Sequence, residues 1–165
     1  MRFPHARVFL IVAAGLLAAV TACSSSGSSK PAAPASAAPG GGSTAAAAAQ
    51  IKTNWVAFFN GKTPVAQRVS LLQNGPSYQS IIESQAKLPV AKSATASVSS
   101  VTVESPAQAK VVYSILVGGA PALQNQPGVA VYQSGTWKVG DQSFCALLTL
   151  ENNGKAPSVC ASAAS

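Results

Sequence analysis

The chain has 165 residues, and its 11 Lys and Arg against 4 Asp and Glu give a net charge of +7. The basic side chains are scattered singly up to Lys155, with no patch, run or recognisable motif, which argues against a nucleic-acid partner. Histidine occurs once, at His5, so histidine-based catalysis or metal binding cannot be built from anything after the first few residues.

The N-terminus reads as an export signal. Arg2 and Arg7 precede the apolar stretch Val8 to Val20, which is too short for a comfortable membrane span. Val20-Thr21-Ala22-Cys23 then has the form of a lipobox, with a small residue before the cut and Cys23 as the lipid acceptor. The bland alternative is an ordinary cleaved signal with an incidental cysteine; the serine-rich run directly after Cys23 favours the lipoprotein. On this reading residues 1–22 are removed, and His5, Arg2 and Arg7 go with them. The mature charge is then +5, from nine basic and four acidic side chains. A lipid on Cys23 gives a stable membrane attachment and an address on the outer face of the membrane, in the cell envelope. Residues 24–43 are Ser, Ala, Gly and Pro with a single lysine, a tether that cannot bury enough surface to order itself. At 20 residues it spans about 25 Å.

The remaining 44–160 reads as one domain, with 161–165 a disordered tail. A first helix covers Thr44 to Asn60, with Ile51, Trp55, Phe58 and Phe59 on one face and Asn60-Gly61 as a left-handed stop. Thr63-Pro64 starts a second helix with Val65, Val69 and Leu72 inward, ended by Asn74-Gly75-Pro76. A third runs from about Ser77 to Ala86, and Pro89 closes that segment. The period then turns to two. Ala94, Ala96 and Val98 have one parity and Val101 and Val103 the other, which requires a bulge near Ser99-Ser100. After a turn at Ser105-Pro106-Ala107, Gln108 to Val117 is a strand with Ala109, Val111, Tyr113, Ile115 and Val117 on one face. Gly118 to Gly128 reads as a long loop, and Val129–Gln133 with Thr136–Val139 as a hairpin around Ser134-Gly135. Asp141 is the expected N-cap of a last helix carrying Phe144, Leu147 and Leu148, stopped by Asn152-Asn153-Gly154. Helices first, then consecutive strands and a short last helix make an α+β roll, with the helices on one face of a four-stranded antiparallel sheet.

The segments Asn54-Trp55, Phe58 through Pro64, Leu71 through Gly75, Leu116 through Leu123 and Gly135 through Val139, followed by Ser143-Phe144-Cys145, carry a resemblance. From about Ile51 to Leu150 the chain resembles actinobacterial exported domains related to the mycobacterial low-molecular-weight secreted antigen. The resemblance implies a cystatin-like, nuclear-transport-factor-two-like roll, an exported or lipid-anchored setting, and no assigned reaction or catalytic set.

Cys145 and Cys160 form an even pair in an oxidising exported setting, which reads as a disulfide. A reactive Cys145 would lack a histidine or other base beside it. The acids are Glu83, Glu104, Asp141 and Glu151. Enzymes of the superfamily implied above commonly use an acid–base residue inside a cavity, and Asp141, with a tyrosine such as Tyr113, is the best-placed one; a cap accounts for it without chemistry. Trp55, Phe59, Tyr78, Tyr113, Tyr132 and Trp137 read mostly as core, and as pocket walls if the roll leaves a cavity. The Gly118–Gly128 loop could cover such a cavity. Val112 and Leu116 on the outer sheet face are either scattered exposure or a homodimer surface. The reading is a non-catalytic, lipid-anchored module with no metal or cofactor, binding a small apolar ligand or an envelope partner. The alternatives are a cavity enzyme using Asp141 and a purely structural or antigenic envelope protein.

Overall fold

A computed structural model describes residues 43–164. The lipobox, Cys23 and nearly all of the expected tether lie outside the described residues. Helix α1 (Thr44–Phe59) starts where Ser43 Oγ accepts a hydrogen bond from Ala46 N at 3.3 Å, satisfying one of the free N–H groups of the first turn. Its buried residues Ala47, Ile51, Trp55 and Phe58 fall on one stripe, the face that the spacing of Ile51, Trp55 and Phe58 predicts. Next come α2 (Val65–Ser70), a 3-10 turn (Gly75–Tyr78), α3 (Gln79–Ala86) and the one-turn α4 (Pro89–Lys92). Two helix starts differ from expectation. Pro64, in extended backbone and without a side-chain capping bond, holds the N-cap position that Thr63 was expected to fill, so α2 begins at Val65. Pro89 opens α4 rather than only closing α3, because a ring with φ already fixed suits a first helical turn.

Strands β1 (Ala94–Ser105), β2 (Gln108–Val117), β3 (Ala120–Gln133) and β4 (Thr136–Val139) pair antiparallel in that order. The bulge in β1 falls between Val98 and Ser100, where the parity break requires it. The largest correction concerns Gly118–Gly128. Only Gly118 and Gly119 turn, with φ of 59° and 85°, a two-residue hairpin of the kind that glycine pairs favour. From Ala120 onward the backbone is strand. Pro121 and Pro127 argue for a loop in the sequence because proline cannot donate to a ladder. Here β4 pairs only with Ala130–Gln133, so the earlier part of β3 is a sheet edge on that side. A missing N–H on an edge forfeits no ladder bond. Asn125, at φ 51°, donates its N–H to Ser114 Oγ at 3.1 Å and absorbs the register shift between Tyr113 and Ile115.

Helix α5 (Asp141–Glu151) follows Gly140, which is the N-cap; Asp141 is the first helical residue and not the cap. A 3-10 helix (Ser158–Ala164) ends the described chain. Helix α1 lies on the sheet, and its stripe meets Ala96, Ala109, Val111, Tyr113, Ala130, Trp137 and Val139 to form the core. On β2 the inward parity runs as predicted: Ala109, Val111 and Tyr113 are buried, and Ile115 and Val117 continue the same face while half-buried.

Gly61 is required for a reason other than helix termination. Asn60 is extended at φ −77° and ψ 117°, and Gly61 is not among the positive-φ glycines. A Cβ on Gly61 would sit 1.9 Å from Ala91 O, so the glycine lets the end of α1 touch α4. Gly61→Ala is expected to lose about 1–3 kcal/mol in urea unfolding, as overpacked sites do. An unchanged midpoint would contradict this contact.

Candidate functional site

Where β2 turns into β3 the inner sheet face opens into a groove of about 670 Å³. Its floor comes from two register pairs, Ala94 with Val117 and Ile115 with Leu123. One wall is Leu88, Val90 and Ala91, around and within α4. The other is Leu147, Leu150 and Glu151 of α5, and Gln85 Nε2 of α3 donates to Glu151 Oε2 at 2.8 Å across the rim. Phe59, from the end of α1, Arg68, from α2, and Ala122, from β3, complete the lining. The surface is mostly aliphatic. Leu88, Val90 and Leu150 are 50%, 53% and 57% exposed, and with Val56 they are the exposed large hydrophobic side chains among the described residues. Three of those four therefore gather on one rim. Isolated exposed leucines are ordinary, whereas a cluster around a concavity marks a binding surface.

Arg68 is 7% exposed. Its Nε donates to Phe58 O at 2.9 Å, and its guanidinium lies over the Phe58 ring, 5.6 Å from the centroid. These contacts tie α2 to the end of α1. Burial pulls the Arg68 pKa below the ordinary arginine value.

The aromatic residues read as pocket walls are mostly elsewhere. Trp55, Tyr78, Tyr113 and Trp137 are fully buried in the core, and Phe59 alone of the six lines the groove. Phe59 stacks on Tyr113 at 5.4 Å and 15°, and Tyr113 also meets Trp55 at 5.0 Å, so Phe59 joins groove to core. Burial pushes the Tyr113 phenol up to about 12. Tyr132 is half-buried and packs on Trp137 at 5.4 Å. Of the segment read as a covering loop, Ala122 and Leu123 do reach the groove, as strand residues.

Asp141 is not among the residues that line the groove. Its carboxylate accepts from Asn74 Nδ2 at 2.9 Å, and its backbone N–H donates to Gln73 Oε1 at 3.2 Å. Gln133 Nε2 in turn donates to Asn74 Oδ1 at 3.2 Å. Asp141 thus latches the turn after α2 onto the start of α5, with its charge at a helix N-terminus where the macrodipole favours it. Cys145 and Cys160 are joined by a disulfide, with Cα atoms 5.7 Å apart, fixing the last 3-10 helix to α5. Such a closure contributes about 3 kcal/mol in the chain-entropy picture. Val112 pairs with Ser100 and Pro127, and Leu116 with Thr95 and Pro121; both are half-buried. No group of His, Cys, Asp and Glu that could hold a metal ion occurs among the described residues.

Sequence reasoning missed Arg68 and the rim. The available signals were the lone arginine after the expected signal, and two large apolar residues flanking Pro89 between Lys87 and Lys92.

No curated protein matches the chain, and no solved structure does. A family model described as the low molecular weight antigen MTB12, C-terminal domain, matches residues 44–155, which run from the first residue of α1 to just past α5. The chain belongs to that antigen-domain family.

Proposed function

We propose that this is an exported, lipid-anchored, non-catalytic domain that binds a small apolar ligand in the groove between α4, α5 and the β2–β3 hairpin. The observation that carries the reading is the gathering of Leu88, Val90 and Leu150 around an aliphatic concavity. Its volume lies within the range of about 300–1,000 Å³ usual for small-molecule sites. Covering those three side chains offers roughly 25 cal/mol for each Å² of apolar surface removed from water. Antigen-family membership and the formed disulfide support an exported location, since such bridges persist in oxidising compartments. The lipid anchor rests on Val20-Thr21-Ala22-Cys23 and the serines that follow. The engagement of Asp141 by Asn74 and Gln73 supports a structural role for the acid that a cavity enzyme would need.

Two measurements test this reading. Titration of the full chain with the neutral apolar dye Nile red is expected to show saturable binding. Val90→Asp and Leu150→Asp, exposed substitutions that leave folding stability nearly unchanged, are expected to weaken it at least about fivefold. Dye binding indifferent to both substitutions would remove the groove as the site. For the anchor, detergent-phase partitioning of the expressed protein is expected to move from the detergent phase to the aqueous phase with Cys23→Ala. Retention of that variant in the detergent phase would defeat lipidation at Cys23.

A further inference from the structure

The aliphatic groove is lined by one cation that forms no ion pair among the described residues. Arg68 is nine-tenths buried, yet the ion pair found among the described residues joins Lys110 to Glu104 and leaves Arg68 without a carboxylate. Its protein hydrogen bond uses Nε alone, donated to the Phe58 carbonyl. The two terminal Nη groups have no protein acceptor among the described residues. They are also absent from the buried polar atoms that lack a partner, so they reach open space, and Arg68 lines the groove. A guanidinium does not shed its proton in a protein. A buried charge without a counterion is costly, and an anion delivered by a ligand would offset that cost. The planar fork suits a carboxylate, which it can hold by two parallel hydrogen bonds.

We infer that the groove takes a single-chain fatty acid, with the carboxylate on the Nη groups of Arg68 and the alkyl chain along Ile115, Leu123, Leu147 and the rim. The inference rests on the groove being a ligand site, and it adds the chemical class. A monoanion is favoured over a phosphate dianion because Glu151 also lines the groove, and a second negative charge on the ligand would add to their repulsion. Glu151 is held by Gln85 at the rim and is not paired with Arg68. Arg68 orients the head while the aliphatic walls supply most of the contact area, a usual division of labour in small-molecule sites.

The test compares laurate with its neutral methyl ester by calorimetric titration of the full chain. Wild-type protein is expected to bind the acid at least about tenfold more tightly than the ester, as a charge-assisted hydrogen bond implies. Arg68→Met, which keeps an apolar side chain of similar length, is expected to bring the ratio close to one while ester binding persists. Lys87→Gln and Lys92→Gln, which alter the exposed cations nearest the rim in sequence, are expected to keep the wild-type ratio. If Arg68→Met fails to fold, the lysine variants decide: a retained preference supports Arg68, and a lost one assigns the preference to surface charge and overturns the inference. Equal affinity of wild type for acid and ester would overturn the role of Arg68 while leaving an apolar ligand site. Failure of both ligands to bind would sink the fatty-acid inference, and Nile red binding would show separately whether the groove is a site at all.

Discussion

The structure depends on an aromatic chain that runs through the core from the first helix to the last. Trp55 and Phe59 of α1 meet Tyr113 of β2, Phe58 meets Phe144 of α5 at 5.6 Å, and Phe144 meets Tyr78 at 5.6 Å. Each well-oriented pair adds about 0.5–1.5 kcal/mol beyond the area it buries. More important is what the chain connects. It fixes α1 to the sheet, α5 to α1, and the 3-10 turn before α3 to α5, so four separate parts of the sequence share one interior. The burial is complete enough that the indole N–H groups of Trp55 and Trp137 lack hydrogen-bond partners, a cost of about 1–3 kcal/mol each that the aromatic packing offsets.

The same packing leaves the groove open. Phe59 is both the last residue of α1 and the last ring of the stack, and beyond it the inner face of β2 continues through Ile115 and Val117. What stands over those residues is the single turn of α4 and the far end of α5. Gly61 lets α4 lie close against the end of α1, and the Cys145–Cys160 bridge ties α5 to the last 3-10 helix. The groove walls are therefore braced by a backbone contact and a covalent link. Arg68 occupies the junction, with Nε used to tie α2 to α1 while the residue also lines the groove.

Much of this was legible in the sequence where one period dominates. The stripe of Ile51, Trp55 and Phe58, the alternation from Ala109 to Val117, and the bulge implied by the parity change after Val98 all report burial directly. The disulfide was legible because the lipobox reading assigns Cys23 to a lipid and so pairs the two remaining cysteines. Other features depend on neighbours distant in sequence and were not. That Pro121 and Pro127 can lie in a strand follows only from β4 being too short to pair with that part of β3. Gly61 resembles a helix stop until Ala91 is known to lie against it. Asp141 fits an N-cap by pattern, whereas its partners Gln73 and Asn74 come from a turn 68 and 67 residues earlier. The candidate site was the least legible part: the aromatic residues that suggest pocket walls mostly fill the core, and the groove is lined by aliphatic side chains from five elements and from Leu88 beside α4.

The central claim is that the face at the β2–β3 hairpin, and not the outer face of the sheet, is where this domain meets its ligand. The most direct measurement is a two-dimensional NMR titration of the isotope-labelled full chain with laurate, read at assigned methyl groups. The account predicts shifts concentrated at Leu88, Val90, Ile115, Leu123, Leu147 and Leu150, with Val112 and Leu116 unmoved. Shifts centred on Val112 and Leu116, with the groove methyls silent, would contradict it.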